Sequence, residues 1–297
     1  SKAKAKAKRD YNLDVNLANP HFTGLATVSF TSITIVPQNR DSLLTINQFE
    51  VGVKIWPLLF GHVKLAEVNL HSGHLNLTNL KGIKNFDFLF RHKKDSTVRS
   101  KSDMAELADN LINELLYKIP DDLNLKNFLI SYTSDSSRVT LLTSSAIIND
   151  GQLTSTIKVN NSDTTWHVAG TMHPSDKNID IRLFADKGKI EVPFIGKKFH
   201  SCVSFDTVTT RLNKVEHSGG ETRIYSYWAV RNLLINHAAL SANDIVIPNG
   251  AIDANIFVGQ NYLSVDSSSV IHLKKITANP FIKYTLKPTK IYALKIN

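Results

Sequence analysis

Cysteine is almost missing from this 297-residue chain: Cys202 is the only one, so no internal disulfide holds the fold together. No apolar run reaches the roughly 18–20 residues that a spanning helix needs. The usual marks of chemistry are missing too. There is no glycine-rich phosphate loop with its lysine, no G-x-S-x-G elbow, no H-E-x-x-H helix and no D-x-D array. Nucleotide, serine-hydrolase and zinc-protease chemistry therefore have no motif to rest on, and nothing calls for a cofactor. Acidic residues are outnumbered, 26 against 35 Lys and Arg, for a net charge of +9. Such an excess suits nucleic acid or an anionic membrane surface.

What the chain does have is alternation. Phe49, Val51, Val53 and Ile55 take every second position, with Glu50, Gly52 and Lys54 between them, the pattern of a strand with one buried and one wetter face. Pro57 stops that run, and Leu58, Leu59 and Phe60 read as a short apolar plug before Gly61, buried together with Trp56. Alternation returns at Val63 and Leu65, shifts by one residue at Val68 and Leu70, and resumes at Leu75 and Leu77. A similar slip separates Val28 and Phe30 from Ile33 and Ile35, and a bulge there restores both pairs to one face. Asp122–Tyr132, DLNLKNFLISY, repeats the rhythm of VKLAEVNLHSGHLNL from Val63. Asn149-Asp150-Gly151 is a hairpin signal, and Asp186-Lys187-Gly188-Lys189 reads as a turn towards Ile190. Alternating segments continue to Ile296. The fold class expected is mainly β: a strongly twisted, mostly antiparallel sheet or an incomplete β-groove.

One segment breaks the pattern. Asp103 and Glu106 form a D-x-x-E capping box, Met104, Leu107, Leu111 and Leu115 make a stripe, and Pro120 closes the segment. A principal amphipathic helix is expected at about 103–118, covering the sheet. The organisation expected is a basic membrane-proximal segment at 1–10, a β region at 11–90, a basic linker at 91–102, the helix, and a second β region at 119–297 that continues the sheet. The linker has no interleaved aromatic residues on which bases would stack, so no nucleic acid is expected as a partner. Lys2, Lys4, Lys6, Lys8 and Arg9 in the opening segment fit two arrangements: the polar flank of a membrane anchor, or a solvated helix or tail.

Two clusters touch on chemistry. His71 and His74, with Glu67 ahead of them, have a spacing useful to zinc on a helix. Their segment alternates like a hairpin, however, and we read them as turn positions. In an alternating strand His200, Cys202, Ser204 and Asp206 share a face, a lead towards a thiol–base pair, yet no oxyanion arrangement accompanies it. The reading is a chain without catalytic or metal-binding residues.

LLTINQFEVGVKIWPLLFG, VKLAEVNLHSGHLNL and IKNFDFLF together resemble the N-terminal region of AsmA-like proteins, over about Asn12–Phe90. Phe49, Val51, Val53, Trp56, Pro57, Leu58, Leu59 and Gly61 carry the motif and are expected in the core. The resemblance implies an envelope protein on the periplasmic side of the inner membrane of a Gram-negative bacterium, tethered by an N-terminal helix ahead of this chain. It implies a non-catalytic module acting in envelope biogenesis by lipid binding, lipid transport or scaffolding. The implied partners are anionic phospholipid or the inner-membrane surface, and an attached or associated envelope enzyme. The alternative it carries is an accessory, positioning domain of a peptidoglycan glycosyltransferase whose catalytic domain lies outside this chain.

Overall fold

The computed structural model describes residues 2–60, 64–90, 119–173, 178–192, 201–218, 221–237, 244–259, 263–273, 276–279, 282–284, 289–290 and 294–296. Strands make up 71% of it and helix 7%, in one large, mostly antiparallel sheet that does not close into a barrel. The mainly β expectation holds. The predicted helix at 103–118 and the linker at 91–102 lie outside the described residues.

A basic helix, α1 (Lys2–Tyr11), leads into β1 (Leu13–Ala18), and the two-residue β2 (His21–Phe22) follows. Next come β3 (Thr27–Pro37), β4 (Leu44–Val53), the one-turn α2 (Ile55–Leu59), β5 (Leu65–Leu80) and the short β6 (Ile83–Lys84). After the undescribed segment the chain continues with β7 (Asp122–Ser134), β8 (Arg138–Asn149), β9 (Gln152–Val159), β10 (Thr165–His173), β11 (Asn178–Ala185) and β12 (Ile190–Glu191). The last long strands are β13 (Ser201–Phe205), β14 (Thr207–Ser218), β15 (Glu221–His237) and β16 (Ile245–Val258). Short strands β17 (Leu263–Val265), β18 (Val270–Leu273) and β19 (Ile276–Asn279) then run along β16.

The pairing makes a ribbon. β1, β3, β4, β5, β7, β8, β9, β10, β11, β14, β15 and β16 lie side by side in that order. At about 4.8 Å per step these twelve ranks extend over roughly 50 Å. Every neighbouring pair is antiparallel except β5 and β7. There the two rhythmically similar segments pair in parallel: Glu67-Val68-Asn69-Leu70-His71 faces Asp122-Leu123-Asn124-Leu125-Lys126 residue for residue. Leucine meets leucine and asparagine meets asparagine, so the repetition in sequence becomes a repetition across the ladder.

A line of strand interruptions crosses the ribbon in register. Gln48, Ser72 and Asn127 adopt positive φ of 54°, 66° and 52° on successive ranks. Thr31 lies beside Gln48, and β8 carries an extra residue at Ser144. β9 and β10 pass straight through. The line resumes where residues 186–189 leave the sheet between Phe184, opposite Thr207, and Ile190, opposite Phe205. It continues at Asp206, at Asn232 (φ 51°) and at Pro248, which lies opposite Asn232. The excursion at 186–189 takes four residues; each of the other interruptions adds one residue without reversing the strand, so the apolar positions on both sides stay on one face. Residues 186–189 are therefore an excursion and not the turn that the sequence suggested. Asn232 donates to Asp206, and the Asp206 amide donates to the Arg231 carbonyl at 2.9 Å, which stitches the line between ranks. His71 and His74 also lie within one continuous strand, with Ser72 as the interruption between them.

The excursion is anchored by Asp186, whose carboxylate accepts from the Thr165 amide at 2.9 Å and the Lys187 amide at 2.8 Å. The Thr165 amide holds its pKa below the ordinary value, aided by the Lys187 amide. A depressed carboxylate stabilises the fold above the unfolded-state pKa and loses that contribution as pH falls through the folded value. The difference in denaturation midpoint between wild type and Asp186→Ala should therefore be full near neutrality and shrink below about pH 3.9. A constant difference across that range refutes the assignment. At Gly170 a Cβ would stand 1.9 Å from the Asp180 carbonyl oxygen on the paired strand. Gly170→Ala should cost about 1–3 kcal/mol or more in chemical denaturation, and an unchanged midpoint would contradict the close approach of β10 and β11.

Candidate functional site

The register fixes which side chains share a face. Val28, Val51, Val68, Leu123, Ile148 and Leu153 stand opposite one another on six successive ranks. The same row runs on through Gly170, Ile181, Thr210, Trp228, Ile252 and Ile271. Two residues along, a second row begins with Phe30, Phe49, Leu70 and Leu125 and later takes in Val168, Leu183, Val208 and Val230. Between them lies a row of the other face, with Ser29, Glu50, Asn69, Asn124, Arg182 and His272 among its members. One face is thus mainly apolar along the ribbon, interrupted by Ser155 and Thr210, and the other is mainly polar, with Ile147 and several alanines among its members.

No second layer covers the apolar face among the described residues. Elements in extensive contact are neighbours in the ladder, apart from α1 against β1. The buried apolar side chains, such as Ile46, Leu70, Ile148, Val159, Ile190 and Phe205, pack sideways on this face. Trp228 and Ile252, on the same face, remain 49% and 39% exposed. The accessible surface is 18968 Å², against about 12,500 Å² for a compact monomer of this mass. Among the described residues this face is buried through lateral contacts alone, which leaves an extended apolar track without cover.

The polar face has a different construction. His74 Nε2 lies 2.7 Å from Ser131 Oγ, which donates to Asn76 Oδ1 at 3.0 Å. Asn85 donates to the Asn76 carbonyl at 2.7 Å. His74 is thus absorbed in a cross-strand network. Among the described residues, no group of three His, Cys, Asp or Glu side chains is placed to hold a metal. Arg182 lies over Phe184, Arg211 over Tyr227 and Arg223 over Phe257, with centroid distances of 5.0, 5.4 and 5.2 Å. Hollows of about 440 and 370 Å³ lie along one side of the interruption line, the first beside Glu50, His71 and Lys126 and the second beside Arg182, Arg231 and His272.

The expected site residues divide. Phe49 and Val51 stand in the apolar face as the alternation requires, and Val53 ends β4 half-buried. Trp56, Leu58 and Leu59 were expected in the core, and the structure places them outside it: Trp56 is 75% exposed, and Leu58, Leu59 and Phe60 are exposed as well. The reason is local. Pro57 is accommodated in the first turn of α2, which projects beyond the ends of β4 and β5, and among the described residues no strand packs extensively against it. Gly61 lies outside the described residues. In α1, Lys6 is exposed, Lys8 pairs with Asp14 at 2.9 Å, and Arg9 pairs with Asp10 at 2.8 Å. The Asp14 hydrogen bond raises the Lys8 pKa. Cys202 is exposed on β13 and Ser204 is buried, while His200 lies outside the described residues.

Comparison with protein-family models, with curated proteins and with solved structures returns no match. The chain's own geometry therefore carries its functional reading.

What sequence reasoning missed was the alignment of the interruptions and the projection of α2. The first has a faint signal, since Asn127 and Asn232 are residues that accept positive φ. The exposed position of Trp56 yields a direct test. Trp56→Ala should change unfolding free energy by no more than about 0.5 kcal/mol, as for other surface substitutions. A loss of about 3–5 kcal/mol would instead show a buried ring.

Proposed function

We propose that this chain is a non-catalytic, AsmA-like envelope module that takes up lipid acyl chains along its apolar face and works beside an anionic membrane surface. One observation carries the reading: an apolar face kept in register over the ribbon, with no second layer over it among the described residues. Each methylene moved from water onto such a surface contributes about 0.8 kcal/mol. A bilayer's hydrocarbon core is about 30 Å across its two leaflets, so a track of roughly 50 Å accommodates several chains placed end to end. Neither apolar row supplies a ring of charge to select a headgroup, which favours acyl uptake of broad specificity. The basic helix α1, at the β1 edge of the ribbon, favours contact with anionic headgroups. The periplasmic setting and the role in envelope biogenesis follow from the AsmA-like motifs alone.

Native mass spectrometry of the gently purified protein, followed by lipid extraction, tests the reading. A bound phospholipid is expected, and Ile252→Glu, which places a charge on an accessible part of the face, should reduce its occupancy. Protein that is lipid-free under all gentle conditions would sink the acyl-binding reading and favour a positioning scaffold.

A further inference from the structure

Among the described residues the most exposed apolar surface lies off the ribbon face, at one end of its first strands. Trp56, Leu59 and Phe60 are largely exposed, Phe60 by 77%, and Ile55 and Leu58 beside them are about half exposed. Beside them the chain ahead of β3 presents Phe22 and Leu25, the latter 97% exposed. The two segments are joined at their base. The Val53 amide donates to the Ala26 carbonyl at 3.0 Å, and the Lys54 amide donates to the Lys64 carbonyl at 2.9 Å. Side chains of this size amount to several hundred Å² of exposed apolar surface, beyond what soluble monomers ordinarily leave without a partner.

We propose that the Ile55–Phe60 turn, with Phe22 and Leu25, inserts into the interfacial layer of a lipid bilayer. The turn is a projection and not a hollow, so it suits a deformable partner better than a preformed protein pocket. It combines tryptophan and phenylalanine with leucine and isoleucine, the composition favoured at the depth of the headgroups. Its charge fits the same partner: no acidic residue occurs from Val51 to Ala66, whereas Lys54 and Lys64 flank the turn. Asp121 pairs with Lys54 at its base, leaving the apolar tip clear. α1 leads into the opposite end of the β3 ladder, where Leu13 faces Pro37, while Thr27 faces Gly52 next to the turn. The first strands therefore have a basic contact at one end and an apolar one at the other, a span of about 35 Å. This inference rests on the membrane-surface part of the reading above and replaces purely electrostatic contact with insertion.

The test uses Trp56 as the only indole, with Trp166→Phe and Trp228→Phe, and vesicles of phosphatidylcholine with or without phosphatidylglycerol. The expected result is a blue shift of Trp56 emission on neutral vesicles that persists in about 0.5 M salt, where headgroup attraction is screened, together with quenching by brominated acyl chains. In the otherwise unchanged protein, Trp56→Ala with Phe60→Ala should weaken vesicle partitioning roughly tenfold or more and leave the melting curve in place. Flotation only with anionic vesicles at low salt, with Trp56 emission unmoved, would assign binding to α1 and overturn the inference. A blue shift that grows with protein concentration without lipid would assign the turn to a second copy of the chain and overturn it too. Bound phospholipid in mass spectrometry without insertion would sink this inference alone. Insertion by a protein that carries no lipid supports it, although acyl binding on the ribbon face then fails.

Discussion

Register is the constraint from which the rest of this molecule follows. A strand with unlike faces cannot slip by one residue without exchanging them, and here a single sheet must hold one apolar face across twelve ranks. The ladder does so through residues that absorb a mismatch locally. Gln48, Ser72 and Asn127 each take a positive φ on adjacent ranks, so the correction in one strand is met by a correction in the next. Were Asn127 alone to lose its extra step, Phe128 and Ile130 would turn to the polar side while Gly73 and Leu75 stayed. The interruptions are thus mutually dependent, and the apolar face exists only because they align.

That dependence explains which parts could be read from sequence. Period-two alternation is local, so strands such as β4, β8 and β11 announce themselves through Leu44 and Ile46, Val139 and Leu141, or Ile179 and Ile181. The one-residue slip at Thr31 was visible for the same reason, whereas the segment holding Ser72 read as a turn. The alignment of the interruptions was not visible, since it is a relation between residues as distant as Gln48 and Asn232. The parallel pairing of β5 with β7 had a trace in the shared rhythm of EVNLH and DLNLK, but similarity does not state who sits beside whom. The apolar plug at Trp56 failed differently. Hydrophobicity proposes burial, yet burial requires a neighbouring surface, and α2 projects past the strand ends where the described residues supply none.

A single-layer sheet also has an unusual energetic character. Sandwiches bury their inner faces against each other at about 10 Å separation, whereas among the described residues here the apolar side chains find partners within their own face. Lateral packing protects Ile46, Leu70 and Ile148 but leaves Trp228 and Ile252 half open. The polar face adds support by covering aromatic rings with guanidinium groups, as at Arg211 and Tyr227. Arg–aromatic stacking keeps the charge in water while the ring loses exposure. The two faces thus solve the same problem by different means, one through its own cation–π cover and the other by leaving an accessible track.

An open apolar track makes stability and ligand binding one quantity. A molecule that binds the folded face and not the unfolded chain stabilises the fold by RT ln(1 + [L]/Kd), and for acyl chains the binding free energy grows with every methylene covered. A second protein layer would give that stabilisation permanently and would abolish the track. The described residues supply no such layer, so that burial would be left for an apolar molecule to provide, and the row from Val28 to Val68 and on to Ile148 has no polar step. The same ladder that solves the folding problem therefore sets the direction of the track: across the strands, along the ribbon, and starting beside the exposed turn at Trp56.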